Sequence, residues 1–161
     1  MKRITKKIVF ATLILLPYYG FSQSGYTKAT DLDVKGVFIG GKYTKSQVEA
    51  KWGTSTKYRS SMSEFGLDEV YDYSDNQFLF SDSGIFNSFF IKTSNFSVYT
   101  AFSGGIKVGD NISRVQTIGL GTLVLQKDGT YRLNRNNKSD DSLVFKHTNG
   151  VITQISFVSS I

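Results

Sequence analysis

His147 is the only histidine among 161 residues. A multi-histidine metal site is therefore excluded, and a hydroxyl nucleophile has no choice of imidazole bases. It sits where an apolar run meets Asn149-Gly150, the place of an ordinary strand-end residue. Serines are plentiful, but no Gly-x-Ser-x-Gly elbow occurs, and no Ser-x-x-Lys with its partner motifs. Glu64, Asp68, Glu69, Asp72 and Asp75 form the one acidic cluster. Two of them in the right geometry could serve as acid and base for glycoside hydrolysis. Asp68 and Asp72, however, alternate with Tyr71 and Tyr73 as exposed strand residues do, and the spacing is not that of a calcium loop. Gly40-Gly41 and Gly104-Gly105 lack the spacing of a phosphate loop and read as hinges. No catalytic residue, metal ligand or cofactor is expected, and the chain reads as a non-enzyme.

The richest feature is aromatic: Tyr71, Tyr73, Phe78, Phe80, Phe86, Phe89, Phe90, Phe96, Tyr99 and Phe102 crowd one stretch. Most must be core. Alternation places Ile85, Phe89 and Ile91 on the buried face of their strand and leaves Phe86, Phe90 and Lys92 on the other. The same test turns Arg132, Lys146, Gln154 and Ser156 outward. An open sheet face of aromatics and a few cations suits protein or glycan recognition, because rigid rings bury much area at small entropic cost. The expected partner-facing surface is Tyr71, Tyr73, Phe90, Lys92, Tyr99, Arg132, Lys146 and Gln154. A one-residue slip in register would exchange the two faces.

Lys2, Arg3, Lys6 and Lys7 precede the apolar run Ile8 to Leu16, then Pro17 and the small-residue exit Gly20-Phe21-Ser22. This is the form of a cleavable export signal over residues 1–22, and the run is far shorter than the roughly twenty residues of a spanning helix. The expected location is therefore secreted or periplasmic, without stable membrane insertion after cleavage. Four of the 19 Lys and Arg and none of the 13 Asp and Glu lie in those residues, so the net charge falls from +6 to +2 on cleavage. Such a chain has no broad phosphate-binding surface, and nucleic acid is not an expected partner. Without cysteine, stability must come from packing alone.

Gly, Ser, Asp and Asn clusters punctuate short apolar runs about every eight to twelve residues, the rhythm of antiparallel strands joined by tight turns. Strands are expected near 34–39, 69–74, 77–81, 85–92, 96–102, 122–127, 130–134, 142–147 and 151–158. Hairpins are expected at Asp75-Asn76, Ser83-Gly84, Asp128-Gly129 and Asn149-Gly150. A helix with N-cap Thr44, capping-box Gln47 and apolar Val48 and Trp52 ends at Gly53; a second runs from Asp110 or Asn111 through Ile112, Val115 and Ile118 to Gly119. The stretches 42–53 and 109–119 align with one gap. The expected fold class is α+β: two tandem helix-plus-antiparallel-sheet units forming a curved, mainly β structure. An N-terminal segment with one strand (23–39) precedes a first unit at 40–103 and a second at 104–161, joined at Gly104-Gly105.

This capped helix, ending in Gly and followed by a meander, resembles the repeat of beta-lactamase inhibitory proteins and of the BamE (SmpA/OmlA) envelope lipoproteins. The resemblance implies a protein-binding module whose sheet grips another exported protein, as an inhibitor or as an envelope-assembly or immunity-type protein. The chain departs from both families, lacking the disulfides of the inhibitory proteins and the lipid-bearing cysteine of the lipoproteins. The alternative is a secreted binder of glycan or cell wall using exposed aromatics. Asp141-Ser142-Leu143 resembles a bacterial O-glycosylation acceptor, and Asn95, Asn111 and Asn137 begin N-glycosylation triplets that matter only in a eukaryotic secretory pathway.

Overall fold

The computed structural model describes residues 32–63, 66–100, 103–117, 123–136 and 139–158. The chain enters as a tight hairpin of β1 (Leu32–Val34) and β2 (Val37–Phe38), closed by Lys35 and Gly36 at φ 46° and 80°. A single α-helix follows, α1 (Lys45–Trp52). Its capping box is complete, since Thr44 Oγ1 accepts from Gln47 N while Gln47 Oε1 accepts from Thr44 N at 2.8 Å. Then come β3 (Lys57–Ser63), β4 (Gly66–Tyr73), β5 (Asn76–Ser81), β6 (Phe86–Ile91), β7 (Ser97–Thr100) and β8 (Ser103–Lys107). A 3-10 turn (Ile112–Thr117) leads to β9 (Val124–Leu125), β10 (Tyr131–Asn136), β11 (Ser139–Thr148) and β12 (Val151–Val158).

These strands form two antiparallel sheets. The larger has eight strands in the order β3-β4-β5-β6-β12-β11-β10-β9, and the smaller four, β2-β1-β7-β8. The large sheet is two four-stranded meanders joined edge to edge where Phe89, Phe90 and Ile91 of β6 pair with Phe157, Ser156 and Ile155 of β12. One continuous apolar cluster fills the space between the sheets. Leu32, Val34, Val37, Val98 and Ile106 come from the small sheet, Val48 from α1, and Phe78, Phe80, Phe86, Phe89, Leu143, Phe145, Ile155 and Phe157 from the large one. The segments before α1 and before the 3-10 turn dock alike, Lys42 bridging Ile85 and Asn111 bridging Val151.

The expected α+β class, with two helix-plus-sheet units, is therefore corrected. The fold is mainly β, with twelve strands among the described residues against one α-helix of eight residues and one 3-10 turn of six. The second helix fails through local bonds and one long-range bond. Asn111 spends its carboxamide oxygen on Ser113 N and its carbonyl on Arg114 N, an i to i+3 bond, while Ile112 N is drawn to Gly150 O. With β-branched Ile112 and Val115 also resisting helix, the segment tightens into 3-10 geometry. Val115 is buried and Ile112 partly so, as expected, whereas Ile118 lies outside the described residues. Gly104 and Gly105, read as a joint, lie inside β8. The small sheet appeared nowhere in the sequence reading as a unit. Residues 1–22, expected to be an export leader, and Glu64, Phe102 and Asn137 lie outside the described residues.

Turns fall close to expectation. Asn149 and Gly150 take φ 51° and 79°, the left-handed pair that a two-residue hairpin demands. Asp128 Oδ1 accepts from both Thr130 N and Oγ1, which holds its carboxyl below the usual range through those hydrogen bonds. The β4–β5 turn is Ser74-Asp75, not Asp75-Asn76. Asn76 instead starts β5 fully buried, donating to Tyr73 O and Thr93 Oγ1 and accepting from Lys92 N and Thr93 N.

Candidate binding face

Period-two alternation gives the large sheet a core face and an opposite face. The register lines up one residue from each strand across that open face: Lys57, Asp72, Gln77, Phe90, Ser156, Val144, Arg132 and Val124. A parallel row carries Arg59, Val70, Leu79 and Ser88, but Val70 is buried, and so is Ser156 of the first row, which alternation had turned outward. Gln154 and Lys146 oppose each other beside the first row. The face thus mixes half-buried Phe90, Leu79 and Val144 with the cations Lys57, Arg59, Arg132 and Lys146. Arg59 is anchored within it, its Nε 3.2 Å from Asp72 Oδ2.

Of the eight residues expected to face a partner, Phe90, Arg132, Lys146 and Gln154 share this face, and Lys92 is exposed just beyond the end of β6. Tyr71 and Tyr73 do not. They are 1% and 8% exposed on the core face, where Tyr71 opposes Phe78 and Tyr73 donates its hydroxyl to Gly53 O at 2.9 Å. The reason is register: Asp68, Val70 and Asp72, one residue out of phase, take the open side. Burial pushes the Tyr71 phenol well above its ordinary range, with Glu69 adding to it, and raises Tyr73 to about 12, with Glu49 adding. Tyr99 is exposed but belongs to β7 in the small sheet, its ring against Gly105, where a Cβ would come within 2.7 Å of it.

A β-bulge corrects the reading of β6. Leu79 pairs with Ser88 but Phe80 with Phe86, so Asn87 is the extra residue. Phe86 and Phe89 therefore both reach the core, and Ile85 is left exposed. The acidic cluster is likewise divided between faces, Asp68 and Asp72 lying open and Glu69 beneath beside Tyr58. Ser142 of the Asp-Ser-Leu triplet is buried within β11. Sequence reasoning missed Lys57, Arg59, Val70 and Leu79. The Ser-rich 57–63 stretch carries only Tyr58 and Met62 as apolar signals, and Leu79 hides between two core phenylalanines.

A concavity of about 470 Å³ opens between the chain before α1 and the β5–β6 turn, with Lys42, Lys45, Tyr58, Glu69 and Asp82 in its lining. Lys45 Nζ lies over the Tyr58 ring, 4.5 Å from its centroid, and 4.0 Å from Glu49 Oε1. Its charges are mixed in sign and partly spent on each other. Among the described residues no three His, Cys, Asp or Glu side chains come together as a metal site would need, and no helix is long and apolar enough to cross a membrane. No protein-family model, curated protein or solved structure matches this chain.

Proposed function

We propose that this is an exported, non-enzymatic module that binds another exported protein on the open face of its eight-stranded sheet, as an inhibitor or as an envelope-assembly or immunity-type protein. The observation that carries this reading is the face itself: one surface across eight strands, combining half-buried Phe90, Leu79 and Val144 with exposed Lys57, Arg132 and Lys146. Apolar anchors ringed by arginine are the composition of protein interfaces. The resemblance to beta-lactamase inhibitory proteins and BamE points to the same mode of grip. The glycan alternative needs stacked exposed rings, and among the described residues this face offers only Phe90, because Tyr71, Tyr73, Phe78, Phe80, Phe86, Phe89 and Phe96 are buried.

The test is capture from envelope extract, set beside a glycan array. Phe90→Ala and Arg132→Ala should each weaken a true partner by about 1 to 2 kcal/mol or more. Arg132→Ala, at an exposed site, should change stability by less than about 1 kcal/mol. Capture unchanged by both substitutions would overturn the assignment of the face. A glycan hit with no protein partner would replace the reading with its rival.

A further inference from the structure

The four outermost strands of the two sheets are β3, β9, β2 and β8. Unpaired strand edges are templates for another chain, and folds commonly blunt them by shortness, bulges or charge. Here β9 and β2 are two residues each, and the ladder that holds β8 is interrupted by a bulge opposite β7. β3 differs in length and regularity, and its one freely exposed charge, Lys57, stands at its end. It is seven residues long, contains no proline, and pairs with β4 through seven consecutive residues without a bulge; among the described residues β4 is its sole ladder partner. Its arginine is drawn inward to Asp72, leaving Ser60, exposed, at the middle of the edge.

We propose that β3 is a self-association edge, at which a second copy of this chain adds its own β3 antiparallel about a two-fold axis through Ser60. The sequence Lys57-Tyr58-Arg59-Ser60-Ser61-Met62-Ser63 is complementary to itself in that register. Lys57 stands opposite Ser63 of the partner subunit, Arg59 opposite Ser61 of the partner subunit, and Tyr58 opposite Met62 of the partner subunit. No two cations face each other, and all seven residues are paired. Moving the axis to Arg59 sets arginine against arginine, and moving it to Tyr58 sets Lys57 against an arginine. Like charges directly opposed destabilise a ladder, and an axis at Ser61 would pair only Arg59–Ser63 of the strand, so the Ser60 register is selected. Tyr58 and Met62, 39% and 78% exposed, lie on one side of the strand, so the register also covers the two exposed apolar side chains of this edge with each other as ring and thioether. The two large sheets then continue into one, joined by main-chain hydrogen bonds as in strand addition.

Sedimentation of the native chain over a concentration series should show a reversible dimer. Ser60→Lys and Ser60→Glu each place like charges face to face at the axis, at an exposed site that does not disturb the core. Each should raise the dimer dissociation constant by about tenfold or more. Mixing the two variants should restore a one-to-one heterodimer, because lysine then faces glutamate, and misfolded variants could not produce that rescue. A wild-type chain that stays monomeric throughout, as it would if a segment before residue 32 occupied the edge, overturns the proposal. So does a dimer indifferent to Ser60→Lys, or a mixture that fails to associate.

Discussion

Trp52 shows how one side chain can organise a β fold that has a single helix. Its ring touches Phe78, Phe86 and Phe96 with centroids 4.4, 5.7 and 5.7 Å away, and its Nε1 donates to Val34 O at 2.9 Å. It therefore ties α1 to both sheets: Phe78 and Phe86 belong to the large one, while Val34 lies in the small one. Truncation removes the ring packing and leaves the Val34 carbonyl without this donor. Because the ring is only partly buried, Trp52→Ala should cost about 2 to 4 kcal/mol in denaturant melts, below the top of the range for deleting a fully buried aromatic. A cost below about 1 kcal/mol would mean that the aromatic cluster holds without its centre. That Val48 and Trp52 share the inward face of this helix, Val48 buried and Trp52 partly so, was legible from their i, i+4 spacing alone.

At the scale of elements, what could be read was whatever depends on neighbours in sequence. Thr44 and Gln47 specify α1 through their own hydrogen bonds, and Asn149-Gly150 specifies its hairpin through backbone freedom, so both were visible. The 3-10 turn was not, because its tightening depends on Gly150, far away in sequence. The open face was half legible for the same reason. Phe90, Arg132, Lys146 and Gln154 follow from alternation within regular strands, whereas Tyr71 and Tyr73 were misassigned because the phase of β4 is set by its partners. Gly84 is an element joint of this long-range kind. It sits at φ 81°, and a Cβ there would come within 2.5 Å of Tyr43 O, while Tyr43 N donates to Gly84 O. Gly84→Ala meets both left-handed strain and a backbone collision, so it should destabilise by about 2 kcal/mol or more. A melt unchanged by that substitution would show that the chain before α1 does not dock against the β5–β6 turn.

The whole molecule has no disulfide, so its resistance to unfolding rests on a core rich in buried phenyl and phenol rings. Alkali tests this directly. Folding holds the Tyr71 and Tyr73 hydroxyls above the ordinary value of 10.0, Tyr73 at about 12, because burial disfavours phenolate. A pKa raised in the folded state stabilises fully below the unfolded value and loses that contribution as pH rises through the folded one. Stability should therefore be level up to about pH 10 and fall between there and about pH 12, with the most buried tyrosines ionising together with loss of structure. Tyr73→Phe should lower stability at neutral pH by about 1 kcal/mol, through loss of the bond to Gly53 O, and make the fall above pH 10 shallower. Tyrosinate absorbance and circular dichroism followed through one titration would decide it. If every tyrosine ionises near pH 10 while the fold stays intact, Tyr71 and Tyr73 face solvent rather than the core, and the division of the large sheet into a packed face and an open one fails with them.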